Sequence, residues 1–198
     1  GTALNSLSTG DEFGHSVALS ADGTQVAIGA PLNDAAGTDA GQVQVFEWDG
    51  SAWSQLGSAI NGAAEDESGK SISLSNDGLR LAVGSPLKQN LDATNAGEVR
   101  VYEWTGSAWS QLGTTLNSLS AGDTFGHFVS LSANGGRLAI SAPFADATGN
   151  NAGRVRVYEW TGSAWSQLGS AIDGAAGDQS GECISLSGDG LRLAIGAR

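Results

Sequence analysis

Methionine is absent from these 198 residues, cysteine occurs once, proline three times, and lysine only at Lys70 and Lys88. The single Cys183 excludes a disulfide framework within the chain. Lys and Arg total 9 against 21 Asp and Glu, a formal net charge of −12. Nucleic acid and anionic membrane both need a basic footprint, so neither is expected as a partner. The acidity reads first as a means of solubility. No apolar run approaches the ~18 residues of a spanning helix, so no membrane insertion is expected. No segment has the order of a signal peptide. Apolar spacing at the helical period of about 3.6 is missing throughout.

What is present instead is repetition. Gly-Ser-Ala-Trp-Ser-Gln-Leu-Gly recurs with its Trp at Trp53, Trp109 and Trp165 (Ser51 follows Gly50 in the first copy), a step of 56 residues. A second marker, a Ser followed by Asp-Gly or Asn-Gly, falls at Ser20, Ser75, Ser132 and Ser187. A period of this length signals an array of units, each too small to bury its own apolar face.

The first full unit predicts four strands. His15–Leu19 alternates and meets Asp22-Gly23, and Gln25–Ala30 follows as a second apolar strand, which Pro31 ends. After a loop to Gly41, Gln42–Trp48 alternates strictly with β-branched and aromatic residues. Asp49-Gly50 turns the chain into a fourth strand, Ala52–Leu56. Four short antiparallel strands per repeat give an all-β fold, a β-propeller of four-stranded blades with about 3.5 blades in this chain. A β-sandwich is the alternative, but it would not return the same turns and the same Trp. The expected boundaries are a blade tail at 1–9, blades at about 10–62, 63–118 and 119–174, and a half-blade at 175–198. The sequence starts and stops inside a unit, which suggests a piece of a longer protein.

Asp11-Glu12-Phe13-Gly14 before strand one and Gly29-Ala30-Pro31 after strand two resemble the FG-GAP repeat family. The pattern returns as Gly69 with Gly84-Ser85-Pro86, as Phe125-Gly126 with Ser141-Ala142-Pro143, and as Gly181 with Gly196-Ala197. That family includes the head propeller of integrin α subunits and surface proteins, and its propellers typically close with seven blades. The resemblance implies an extracellular or cell-surface, non-enzymatic protein of structural or adhesive type, with integrin-like character. It also implies a Ca²⁺ site in the loop between strands one and two. Calcium needs six to eight oxygens. Here the family's ligand positions hold Ala18, Ser20, Asp22 and Val26, with Leu81, Leu138 and Leu193 at the last position of the later units. The ligand set is lost and no cofactor is expected.

The loops between strands two and three and between blades emerge on one face of a propeller. They hold Asp11, Asp34, Asp39, Glu65, Asp66, Glu67, Asp92, Asp123, Asp146 and Asp178, a surface for a basic partner or simply a solvated face. Trp48, Trp104 and Trp160 raise a lectin-like reading in which glycan stacks on the rings. A Trp pair across a hairpin more often holds the hairpin together. His15 and His127 are replaced by Lys70 and Glu182 in the other units, with no second ligand at zinc spacing. No nucleophile elbow or phosphate loop occurs, so an enzyme is not expected. Cys183 replaces Ser16, Ser71 and Phe128 and reads as a packed thiol. The expected partner is a protein, or the remainder of a longer chain, that completes the propeller. A simple dimer would leave both half-blades without strands three and four.

Overall fold

The computed structural model describes residues 3–5, 8–89, 94–118 and 120–198, and every regular element among them is a β-strand. In the first unit β1 (Ser16–Leu19), β2 (Gln25–Ala30) and β3 (Gln42–Trp48) form an antiparallel meander, with β4 (Trp53–Gln55) and β5 (Ile60–Asn61) both on the outer edge of β3. The second unit repeats this as β6 (Ser71–Leu74), β7 (Arg80–Ser85), β8 (Glu98–Trp104), β9 (Trp109–Gln111) and β10 (Leu116–Asn117). The third consists of β11 (Val129–Leu131), β12 (Arg137–Ala142), β13 (Arg154–Trp160), β14 (Trp165–Gln167) and β15 (Ile172–Asp173). The fourth has only β16 (Cys183–Leu186) and β17 (Leu193–Gly196). These are three propeller blades and an inner half-blade.

One detail departs from the sequence reading. The fourth strand is not the single segment Ala52–Leu56; it breaks into β4 and β5 around Gly57. Gly57 has φ +76, and a Cβ there would lie 2.7 Å from the Trp104 ring. The same break recurs around Gly113 and Gly169, and in the first two blades the tryptophans of the next blade pack over it.

Strand alternation gives each blade two faces. One apolar cluster joins Ala27, Val43, Val45 and Ile60 of the first blade to Ile72, Leu74, Leu81 and Val83 of the second. The other joins Val99, Val101 and Leu116 of the second blade to Phe125, Val129, Leu138 and Ile140 of the third. The core is therefore not inside the sheets but between them. No unit could bury its apolar face alone, which is why the repeats stack.

The FG-GAP-type residues sit at these junctions. Gly14, Gly69, Gly126 and Gly181 each donate their N–H to a carbonyl near the end of strand two of their own blade (Gly29, Gly84, Ser141 and Gly196), at 2.8–3.0 Å. A Cβ on Gly29 would meet the Gly69 carbonyl oxygen at 2.2 Å, and one on Gly84 the Gly126 oxygen at 2.1 Å. Glycine suits these two positions because backbone here lies directly against backbone of the next blade, whereas the third blade carries Ser141 at the equivalent place. Phe125 is buried in the same seam, between the second and third blades.

Inner strands are held by side chains rather than by a backbone ladder. Ser71 and Ser73 of β6 accept from the Val129 and Leu131 N–H groups of β11 at 3.0 and 2.9 Å. Ser130 of β11 does the same for Leu186 of β16 at 2.9 Å. Each hydroxyl satisfies an edge N–H that the next blade would otherwise leave without a partner.

Candidate functional site

Two regions could carry function: the loop face, and the blade surfaces that no neighbouring blade covers. The loop face is built from the repeated Asp/Asn-Ala-Gly turn after strand two and the repeated Asp-x-Phe/Ser-Gly turn before strand one. Asp39, Asn95 and Asn151 have φ of 47°, 53° and 49°, and Glu12, Glu67, Thr124 and Gln179 have φ between 48° and 54°. The two turns join across blades, since Ser68, Phe125 and Ser180 donate their N–H to Ala40, Ala96 and Ala152 at 3.0–3.1 Å.

This geometry redistributes the expected acids. Asp11, Asp66 and Asp123 are buried rather than displayed. Asn33 donates to Asp11 at 2.7 Å, the Ala63 N–H and Lys88 to Asp66 at 2.9 and 3.1 Å, and the Ser118 hydroxyl to Asp123 at 2.5 Å. Buried carboxylates need such donors, so these three organise the loops instead of facing a partner. Asp34 and Asp146 accept from the N–H groups of Asp39 and Asn151 at 2.8 Å, and Asp178 from Ala175 at 2.9 Å. Asp39, Glu65 and Glu67 come together around a cleft of ≈310 Å³, with Glu67 paired to Lys70 at 3.0 Å. Asp92 lies outside the described residues.

On the opposite face the Asp-Gly turns serve as hairpin turns. Asp22 accepts from the Ser20 and Thr24 hydroxyls and the Thr24 N–H, which hold its carboxyl down to about 2. Successive turns also bond to one another, from Ala21 to Asn76, Asn76 to Ala133 and Ala133 to Gly188, at 2.8–2.9 Å. Among the described residues no group of three or more His, Cys, Asp or Glu is placed to hold a metal ion.

The tryptophans pair as cross-strand neighbours. Trp48 lies opposite Trp53, Trp104 opposite Trp109 and Trp160 opposite Trp165, with ring centroids 5.4–5.5 Å apart. They also cross junctions: Trp109 Nε1 donates to the Leu56 carbonyl and Trp165 Nε1 to the Leu112 carbonyl, both at 3.0 Å. Trp104 and Trp160 lie over Gly57 and Gly113 of the preceding blade. Sequence reasoning found the pairs but missed this second role, because the acceptor is a backbone carbonyl 53 residues away.

The uncovered surfaces lie at the two ends of the arc. On the first blade Val17 and Leu19 are 65% and 60% exposed, although their counterparts Val129 and Leu131 are buried. Beyond the third blade Ile172 is 45% exposed, whereas its counterparts Ile60 and Leu116 are 8% and 9% exposed. Cys183, read from sequence as packed, is exposed on β16.

His127 sits between the rings of Phe128 and Phe144, at 5.4 and 6.2 Å, with Lys70, Glu182, Arg198 and Glu67 around it. Burial pushes its pKa below the ordinary 6.5, with the Glu182 charge opposing. The unfolded chain therefore binds the extra proton first. The stability His127 contributes is complete above its unfolded pKa and is lost as pH falls through that value toward the lower folded one. Urea midpoints measured across this range should fall on acidification, and His127→Gln should flatten that part of the profile.

The FG-GAP repeat family model matches residues 5–46, which contain Asp11-Glu12-Phe13-Gly14 and Gly29-Ala30-Pro31. Residues 5–46 form an FG-GAP repeat. The later units repeat the hydrogen bond of Gly14 at Gly69, Gly126 and Gly181, with Ser141 in place of the acceptor glycine in the third unit. No curated protein matches the chain in sequence. Among solved structures it is similar to a candidate 6-phosphogluconolactonase of Bacteroides uniformis, with a TM-score of 0.54 and 13% identity, over 90% of this chain and 42% of that one. It is also similar to hydrazine synthase of Kuenenia stuttgartiensis, with a TM-score of 0.53 and 13% identity, over 92% of this chain and 58% of that one. The chain thus spans about half the length of these propeller-like structures, and at this identity the likeness is one of fold.

Proposed function

We propose that this chain is a non-enzymatic, extracellular or surface module of structural or adhesive type that associates through its uncovered blade faces. The observation that carries the reading is the exposure of Val17 and Leu19 at positions that are buried in the other full blades. Apolar side chains clustered at a sheet face mark an interaction surface. Support also comes from the loop face, where most of the candidate acids are engaged in holding turns and so are not poised for acid–base work. The geometry favours a packing role for the Trp pairs over glycan stacking, because Trp109 and Trp165 spend their indole N–H groups on carbonyls of the preceding blade.

Sedimentation velocity over a wide concentration range tests association. The chain should rise above its 19.9 kDa monomer mass with concentration. Val17→Asp with Leu19→Asp should hold it at the monomer, because two carboxylates would have to be desolvated at the interface. A wild-type chain that stays monomeric throughout overturns the reading.

A further inference from the structure

We propose that Asp66, Lys88 and Glu98 form a site of intramolecular amide formation, in which Lys88 Nζ and the Asp66 carboxyl join with loss of water. The site lies inside the arc, where the second blade meets the first, and is independent of association through Val17 and Leu19.

Comparison of the units isolates it. Each unit carries an Asp in the turn before strand one, at Asp11, Asp66, Asp123 and Asp178. In the first unit Asn33 donates to Asp11 at 2.7 Å, and β3 opens with Gln42, which donates to Asn61 at 2.9 Å. The third unit has Ala145 and Arg154 at these two positions, and Arg154 pairs with Asp173 at 2.6 Å. Of the three full units only the second places an amine and a carboxyl there. The amine is Lys88, one of two lysines in the chain, and the carboxyl is Glu98, which opens β8.

Lys88 Nζ lies 3.1 Å from Asp66 Oδ2, the oxygen that also accepts the Ala63 N–H at 2.9 Å. Asp66 and Glu98 are buried, and the Lys88 side chain is 22% exposed. Burial penalises both members of such a pair for staying charged. It also pushes the Glu98 carboxyl above the usual carboxylate range, with Arg100 and Lys88 opposing and Asp66 adding to the rise. Glu98 Oε1 lies 2.7 Å from Arg100 Nη2 yet, among the described residues, accepts no hydrogen bond, and Arg100 Nε is buried without a hydrogen-bond partner as well. Buried polar groups left in this state call for a chemical explanation beyond stability.

The step balances within the chain. The Lys88 ammonium passes a proton to the Asp66 carboxylate beside it, leaving a neutral amine and a neutral acid, the forms that desolvation favours. The amine nitrogen adds to Cγ, and the Ala63 N–H steadies the negative charge that develops on Oδ2. Glu98 gives its proton to the other oxygen, the bond from Cγ to that oxygen breaks, and water leaves. Glu98 then recovers a proton from Nζ, so it ends as it began. No oxidant or co-reactant is consumed. The new bond closes residues 66–88 into a ring around β6 and β7, a covalent tie that the lone Cys183 cannot supply within this chain.

The intact mass of the folded, incubated and then denatured 198-residue chain tests this. The expected mass is that of the sequence less one water. Trypsin should then fail to cut after Lys88 and release a branched peptide joining residues 1–70 to 81–100. Lys88→Asn and Glu98→Gln install the residues that the first unit already carries at these positions. Both should therefore fold, with unchanged circular dichroism, and both should keep the full mass. A wild-type chain at full mass overturns the proposal. So does loss of water with Lys88 still cut, which marks a succinimide at an Asp-Gly turn, and so does a branched peptide that forms equally in Glu98→Gln.

Discussion

Gly84→Ala is expected to destabilise the chain by about 3 kcal/mol, the upper range for forcing atoms into a packed interior. A Cβ at this position would lie 2.1 Å from the Gly126 carbonyl oxygen and 3.1 Å from its carbon. Both are backbone atoms of the neighbouring blade, so no side chain can rotate away. Relief requires the second and third blades to separate, which opens the cluster holding Val99, Leu138 and Ile140. The measurement is the urea midpoint at unchanged slope. Gly106→Ala is the comparison, because Gly106 has positive φ, +91, which Gly84 within β7 does not, and a Cβ there meets nothing within 4 Å. It should cost about 1 kcal/mol, the strain of a left-handed residue alone. A loss at Gly84→Ala no larger than the strain cost at Gly106→Ala would mean that contact between blades does not explain the glycine.

Trp165→Ala should be as damaging, at about 3–5 kcal/mol, the range for removing a large buried aromatic. Trp165 is buried in the second junction, stacks beside Trp160 at 5.5 Å and caps the Leu112 carbonyl. Trp165→Phe separates these contributions, since it keeps most of the ring and loses the hydrogen bond, for about 1–2 kcal/mol. Trp53→Ala should cost less than Trp165→Ala, because Trp53 is only half-buried at the uncovered end. Thermal unfolding of the three variants checks the order. Three variants that stay equally stable would overturn the packing role given to Trp165.

The contrast between these residues shows what a repeat sequence exposes and what it hides. The first three strands of the first unit were legible because alternation and Asp-Gly turns are local signals, and Gln25–Ala30 and Gln42–Trp48 stand where the pattern puts them. The Trp48–Trp53 pairing was legible for the same reason. The break of strand four around Gly57 was not, because the alternation that marks a strand does not mark where a left-handed glycine, φ +76, interrupts it. Nor was the burial of Asp11, Asp66 and Asp123. In sequence they resemble Asp34 or Glu65, and only the packing of one loop on the next decides which carboxylate reaches water.

The serine hydroxyls on β6 and β11 give the arc an unusual arithmetic. Cohesion resides in the seams between inner strands, and four inner strands in a row have three seams. Stability in such an array is a sum over neighbours rather than over units. Each added blade brings one more seam along with its own residues to be ordered. The final closure of an arc into a ring is different, because it gains a seam without fixing any further backbone. The last contact made is therefore the one least opposed by chain entropy.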